Sequence, residues 1–492
     1  MSRKRKTYSD FLNANFGRLF GAGDDNKGAP VVFSDEARSK HSVLYGDIGS
    51  GKSRLITALA ATDAFRRVKG LSPRGFAVLD NQEDLFNDIA DRLALMAQDY
   101  PALYDFVHIV DPTNPKWSVK YNPLELMPWE TADAKAQHLA NVFANLFGDD
   151  TTTNVRQYRV SKYTFLPLIV AGYSLLQVPD FLTDRAFREE LVEAQEHHYP
   201  ELGNYWRRQF PRDDARAMEW IESTMNRVER FISMSAGLQF MLEGPSTINL
   251  RHIMDGGGIL LVNAPIRVLK DNASSLFLAF ILAALQDAAM SRTDVSRRRR
   301  TPFTAYCDEF QEYTTVTVQQ TARLARKVNF ELFLATQDVQ GLPQHREVRA
   351  LVSRLVGNTL AMRLSYEDAQ VLANTLFAPG LVQEKAVIDG KPVYFSLSEI
   401  QEMEIRKITQ CPDRMAYWKR KGDMVARYFM TPTVLDIESV PNFHRLAEAR
   451  RQLADAAFKL SGRPKVRRLP PPRANGHVRS GQAIDVPLWD ES

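Results

Sequence analysis

YGDIGSGKSR, residues 45–54, decides how this chain folds. Gly46, four further residues and then Gly51-Lys52-Ser53 spell G-x-x-x-x-G-K-[ST], the pattern of a loop that wraps phosphate. Glycines at 46, 49 and 51 let backbone N–H groups crowd round phosphate oxygens with no Cβ in the way. Lys52 is placed to reach β/γ-phosphates, and the Ser53 hydroxyl to ligate Mg²⁺. The candidate nucleotide-binding set is therefore Gly46, Asp47, Ile48, Gly49, Ser50, Gly51, Lys52, Ser53 and Arg54, with ATP and Mg²⁺ as the expected ligands.

Working outward, Ser42-Val43-Leu44-Tyr45 reads as a short strand, and Ser53 to Phe65 as a helix whose positive N-terminal end faces the phosphates. Gly75 to Asp80 and Phe106 to Asp111 read as strands around a helix at about 83–97, and strands alternating with helices imply a parallel, doubly wound sheet. Asp80, at a strand tip, reads as a helix cap in preference to a ligand-binding carboxylate. From 130 to 245 strand signals give way to helical periodicity, as in Val142-Phe143 and Leu146-Phe147, which predicts an inserted all-helical domain. Its aromatics (Tyr158, Tyr163, Phe165, Tyr205, Trp206, Trp220, Phe231) recur at helical spacing and read as core before base-stacking platforms.

The sheet resumes with a strand at Gly258 to Asn263 and an apolar helix, Ala273 to Met290. Arg297 to Arg300 form a loop that is either solvated or faces a polyanion. The strand Pro302 to Cys307 then closes on Asp308-Glu309. An acidic pair after an apolar strand, downstream of a phosphate loop, supplies the other half of an ATPase site. Asp308 would hold Mg²⁺ through water and Glu309 would polarise the attacking water, the pair lying on a strand next to the loop. A helix to Lys327 leads to the strand Phe330 to Ala335, whose tip carries Gln337, an amide suited to orienting that water or sensing the γ-phosphate. Leu360 to Leu364 reads as strand, 366–376 as helix and 395–430 as small strands, clearest at Ala416 to Lys419 and Met424 to Arg427. A last helix is expected over 441–461.

The domain plan is a basic flexible arm (1–30), a nucleotide-binding domain in two parts (31–129 and 246–440) around the helical insertion (130–245), a C-terminal helix (441–461) and a disordered basic tail (462–492). A formal net charge of +4, from 63 Lys+Arg against 59 Asp+Glu, is too small to demand a polyanion, but basic residues concentrate at both ends. Two distant cysteines, Cys307 and Cys411, fit a reducing compartment and exclude a disulfide or zinc scaffold. No signal peptide follows Ser2-Arg3-Lys4-Arg5-Lys6, and the longest apolar run, Leu276 to Leu285, is too short to span a bilayer, so no integral membrane segment and a cytoplasmic location are expected.

Read together, GDIGSGKS, GGILLVNAP, AYCDEFQ and ARKVNFELFLATQD, with the helical insertion between them, resemble the HerA/FtsK superfamily, most of all the cytosolic part of type IV secretion coupling proteins of conjugative DNA transfer. The resemblance covers about residues 35–435. It implies a RecA-like P-loop NTPase domain and a homohexameric ring around DNA, with ATP hydrolysed between subunits. It carries over Lys52 and Ser53, Asp308 and Glu309, and Gln337; Arg326 matches the family's arginine finger by position, with Arg323 in reserve. It also brings a relaxase, a secretion-channel protein or an effector as partner. Coupling proteins usually begin with transmembrane helices and this chain does not, a departure that weakens membrane docking. Two functions follow: a DNA-translocating motor gripping the backbone with little sequence preference, or a HerA-like ATPase ring that scaffolds a partner protein in repair or anti-phage defence. A metabolic kinase is disfavoured, because the chain has the helical insertion and no acceptor-binding signature.

Overall fold

The computed structural model describes residues 14–20, 28–114, 116–117, 119–147, 151–313, 327–337, 339, 356–377, 384–388, 391–440, 442–461, 466–468 and 485–487. Eleven strands form one sheet in the order β2-β1-β13-β12-β9-β3-β8-β7-β4-β6-β5. In chain order they are β1 (Ala14–Leu19), β2 (Pro30–Phe33), β3 (Ser42–Tyr45), β4 (Gly75–Asp80), β5 (Val107–Val110), β6 (Ile259–Asn263), β7 (Phe303–Cys307), β8 (Phe330–Thr336), β9 (Asn358–Ala361), β12 (Met415–Arg420) and β13 (Arg427–Met430). The run from β9 to β5 is parallel throughout. Beyond β9 the pairing turns antiparallel, ending on β1 and β2. A separate ribbon pairs β10 (Glu384–Ile388) with β11 (Lys391–Tyr394).

The longer helices are α1 (Lys52–Val68), α2 (Asp84–Asp99), α3 (Ala132–Phe147), α4 (Thr151–Ala171), α5 (Arg185–Gln195), α6 (Asp214–Ser233), α7 (Ile266–Ser291), α8 (Tyr366–Leu376), α9 (Leu397–Thr409) and α10 (Leu446–Ser461). Because side chains alternate across a strand, each central strand feeds two cores. Leu44, Val78, Tyr306 and Phe333 pack with α1, α2 and α10 on one face. Val43, Ala77, Leu79, Ala305 and Cys307 point to the other face. There the inserted helices join them in one continuous cluster, so the insertion shares its core with the sheet. Its aromatics are core: Phe165, Tyr205, Trp206 and Phe231 are buried, with Tyr158, Tyr163 and Trp220 packed against them.

α7 lies between the insertion and the sheet, which explains why it is apolar all round. Among the described residues it is the one helix long and apolar enough to cross a membrane, and 83% of its most apolar window is buried inside the protein. The ten-residue run read from sequence underestimated it, because Ala, Ser and Gln extend the buried stretch on both sides. One residue breaks the helix: Lys270 has φ 63° and ψ 162°. That region is nearly exclusive to glycine, and holding another residue there costs about 1–3 kcal/mol.

On the α1 face a buried ionic cluster ties the loop helix to the strands. Arg38 donates to both oxygens of Asp63 on α1 (2.9 and 2.5 Å), to Thr304 (3.2 Å) and to Tyr306 (2.9 Å) on β7, and lies 3.6 Å from Glu331 on β8. Arg74 bridges Glu331 to Asp35.

Three sequence expectations change. Residues 14–19, read as part of a mobile arm, form β1; Phe16 is fully buried against Phe33, Trp418 and Phe429. β1 lies between the edge strand β2 and β13, and it is hard to see in a short, Gly-bearing segment because β13, which joins it to the rest of the sheet, lies about 400 residues away. The 395–430 stretch is not all strand: α9 occupies its first half, opened by a capping box in which Ser396 and Glu399 satisfy each other's backbone N–H. That Ser-x-x-Glu signal was legible. Finally, the strand expected at Met424 to Arg427 begins only at Arg427. In the tail, Val466–Arg468 pairs with Asp485–Pro487; the remaining tail residues lie outside the described set.

Candidate active site

The loop at 46–51 leaves β3 between two parallel neighbours, since Tyr45 is in register with Thr336 on β8 and Ala361 on β9. Its first amides are held by those neighbours. Gly46 N donates to the Thr336 carbonyl (3.2 Å) and Asp47 N to the Arg363 carbonyl (2.9 Å). A Cβ at Gly46 would stand 2.5 Å from Ser50 Oγ and 3.2 Å from both Lys52 Cγ and Met362 Cβ. Gly49 and Gly51 have φ of 78° and 106°, which L-residues rarely adopt. Ser50 is buried, and its Oγ has no hydrogen-bond partner among the described residues. Lys52 opens α1 and is buried; its Nζ donates to the Gly46 carbonyl (2.7 Å) and, more weakly, to that of Asp47 (3.4 Å). Burial lowers its pKa, opposed by Glu309, Asp308 and Asp47. Ile48 projects from the loop, 80% exposed.

The acidic pair does not lie on the neighbouring strand, as the sequence suggested. β8 stands between β3 and β7. This order brings three strand tips together rather than two. Asp308 N donates to the Leu79 carbonyl on β4 (3.2 Å), which fixes the end of β7. The chain then turns sharply through Glu309, whose φ of 43° and ψ of 48° are left-handed. The turn aims the Glu309 carboxylate at β8. There Gln337 donates to it twice, from its side-chain amide to Oε1 and from its backbone N to Oε2 (3.3 Å). Gln311 Nε2 adds a third bond to Oε2 (2.9 Å), and Lys52 Nζ lies 3.9 Å from Oε1. Ser53 Oγ is 3.4 Å from Asp308 Oδ2. Burial, with the like charges of Glu309 and Asp80, pushes the Asp308 carboxyl up to about 7, although Lys52 pulls it down.

Lys52, Ser53, Asp308, Glu309 and Gln337 thus converge at the C-terminal edge of the sheet. Arg54 turns away: its guanidinium pairs with Asp436 (2.9 Å) and reaches the Val434 carbonyl (3.4 Å). Asp80 caps, accepting from Gln82 N (2.8 Å) and Phe86 N (2.7 Å) at the start of α2. Arg326 and Arg323 lie outside the described residues. The Arg297–Arg300 run precedes β7 and so lies at the opposite, N-terminal edge of the sheet; Arg300 is spent on the carbonyls of Arg292, Thr293 and Lys327. Two contributors were missed from sequence. Gln311 holds Glu309, and the Tyr313 hydroxyl donates to the Asp308 carbonyl (3.0 Å). Both follow the acidic pair within five residues, but only the 3-10 turn at Phe310–Glu312 brings them back to it.

The residues fit a nucleotide and its cation. A Cβ at Gly46 would crowd Ser50 and Lys52 in the loop, Ser50 Oγ is an unused polar atom in the loop wall, and Asp308 is crowded by two other carboxylates that a divalent ion would relieve.

A parallel sheet with a phosphate-type loop on β3, an acidic pair two strands away and a polar tip between them is the RecA-like P-loop NTPase fold, here carrying an inserted helical layer. No family model and no curated protein matches the sequence. Among solved structures, the bacterial conjugative coupling protein TrwBdeltaN70, in a trigonal form with sulphate, is similar over 84% of this chain and 90% of its own, with a TM-score of 0.59 at 14% identity. The plasmid coupling protein TrwB with ADP and Mg²⁺ aligns over 87% and 96%, with a TM-score of 0.58 at 14% identity. VirB4 of Thermoanaerobacter pseudethanolicus aligns over 88% and 97%, with a TM-score of 0.51 at 12% identity. The resemblance to coupling proteins, read from motifs scattered along the sequence, holds at the level of the fold.

Proposed function

We propose that this protein is an ATP-hydrolysing motor that moves DNA, working as a homohexameric ring for a mobile element or conjugative transfer from the cytoplasm. The observation that carries the reading is Glu309, a buried carboxylate fixed by Gln337 and Gln311 within 3.9 Å of Lys52 Nζ. In this reading the loop amides and Lys52 would bind the β/γ-phosphates, and Ser53 and Asp308 would hold Mg²⁺, which would supply neutralisation of phosphate charge. Glu309 accepts the proton of the attacking water, and Gln337 orients the carboxylate and reports on the γ-phosphate through the same bond. The TrwB neighbours were solved with a non-hydrolysable ATP analogue and with ADP and Mg²⁺, which supports the same ligands here. Arg326, with Arg323 in reserve, is the proposed finger from the adjacent subunit.

DNA is the proposed substrate, gripped through its backbone, because phosphate contacts repeat along any sequence while base-edge readout would stall a translocating ring. A relaxase, secretion-channel or effector protein is the proposed partner. The test is to titrate duplex and single-stranded oligonucleotides of several lengths at two salt concentrations while following ATP turnover. Stimulation that grows with length, indifference to scrambling, and binding that weakens with a log–log salt slope of about −0.9 per neutralised phosphate of duplex are expected. No response to any DNA, together with activation by a protein partner, would replace the motor with the partner-scaffolding ring.

A further inference from the structure

A crevice of about 830 Å³ separates α6 of the helical insertion from the kinked start of α7. Asn226, Arg227, Arg230, Lys270, Asp271 and Asn272 are among the residues that line it, above an apolar floor that includes Phe231 and Leu269. Three cations face one carboxylate, and the two amides add neutral donors. Arg230, Lys270 and Asp271 are exposed and Arg227 is half-buried, so two of the cations and the one carboxylate reach solvent. Its cationic rim suits phosphate groups presented at the mouth of the crevice, where Arg and Lys side chains form charge-assisted hydrogen bonds.

Two features of its position join it to the acidic pair. Lys270 occupies backbone space normally left to glycine, and such outliers cluster at ligand clamps and switch regions. The turn that presents it leaves β6, next to β4, whose Leu79 carbonyl anchors Asp308. Burial raises the Glu312 carboxyl, and the like charges of Glu309 and of Asp271, beside Lys270, add to it.

We propose that this crevice binds backbone phosphates of DNA and is the contact through which DNA reaches the acidic pair. The inference rests on the DNA-motor reading and adds the place where the strand is held. It also separates the crevice from the Arg297–Arg300 run, which carries more charge but sits at the far edge of the sheet.

Labelled duplex binding, measured by anisotropy across a salt series, tests it in the full-length protein. Arg230→Ala/Lys270→Ala is expected to weaken binding to all sequences alike and to flatten the log–log salt slope by about 2, one for each cation. DNA stimulation of ATP turnover should fall with it. Arg298→Ala/Arg299→Ala removes the same charge from the opposite edge and should leave the slope unchanged. Lys270→Arg, which keeps the cation, should behave as wild type; loss of binding in that variant would overturn the proposal. Equal losses in the two double variants would also overturn it, because affinity would then follow net charge alone. Inorganic phosphate should compete with the duplex beyond what chloride does at equal ionic strength in the wild type but not in Arg230→Ala/Lys270→Ala; competition that the double variant leaves unchanged would place the anion elsewhere and overturn the proposal. A wild-type protein that binds no DNA would defeat the motor reading itself, whereas wild-type binding with an unaltered crevice variant would defeat only this inference.

Discussion

Replacing Glu309 with glutamine separates the chemistry of the site from its architecture. The left-handed turn at 309 is unchanged by this substitution, since both side chains share one shape and one backbone. The bonding is nearly preserved too. Oε2 accepts from Gln311 and from the Gln337 backbone N, so the new amide would place its oxygen there. Its NH₂ would then face the Gln337 side chain, which can turn its own carbonyl inward. The structural cost is the difference between a charge-assisted and a neutral hydrogen bond, about 1 kcal/mol. The catalytic loss should be larger, because an amide cannot accept the proton of the attacking water. A general base contributes about 10²–10⁴-fold, or roughly 3–5 kcal/mol of barrier. We expect steady-state ATP turnover to fall by at least about 10²-fold while fluorescent-nucleotide affinity changes by less than about tenfold. Turnover within a few-fold of wild type would refute the assignment of Glu309. Loss of nucleotide binding in parallel would show that the carboxylate acts by holding Lys52.

Lys52→Ala should abolish tight nucleotide binding, measured by the same titration. Mixing it with inactive Arg326→Ala protein should restore part of the activity if a neighbour's arginine completes each site; no recovery in verified mixed rings would make Arg326 structural. The Asp308 carboxyl, raised from 3.8 to about 7, binds a proton more tightly in the folded than in the unfolded protein. Nucleotide-free, metal-free protein should therefore lose stability as pH rises from about 4 to 7, by up to ~4 kcal/mol, and Mg²⁺-nucleotide should restore more of it at pH 8 than at pH 5. Melting curves across pH check the sign. Arg38→Met strands the buried Asp63 carboxylate and should cost about 3–5 kcal/mol in chemical denaturation, while Arg38→Met/Asp63→Leu should recover most of that. Equal losses in the single and paired variants would mean that the bridge itself supplies the stability.

By itself the sequence determined the local parts. The glycine spacing of 46–51 dictated a tight turn that admits phosphate, because the positive φ values and the missing Cβ are properties of single residues. Apolar runs closing on Asp308-Glu309 and on Thr336-Gln337 marked strand tips, and the change to helical period between 130 and 245 marked the insertion. A capping box at Ser396 and Glu399 was equally local, and was overlooked. The tertiary structure alone decided which parts meet. Parallel strands pair across long separations, with no turn to fix their order, so nothing in the sequence placed β8 between β3 and β7. That order, and the left-handed turn at Glu309, put Gln337 and Gln311 on one carboxylate. The same long-range packing moved Arg54 onto Asp436, buried Arg38 against Asp63 and drew Ala14–Leu19 into the sheet. Each of these contacts joins residues whose partners are set by the folded sheet, and a charge or an apolar side chain does not announce its partner until that sheet has formed.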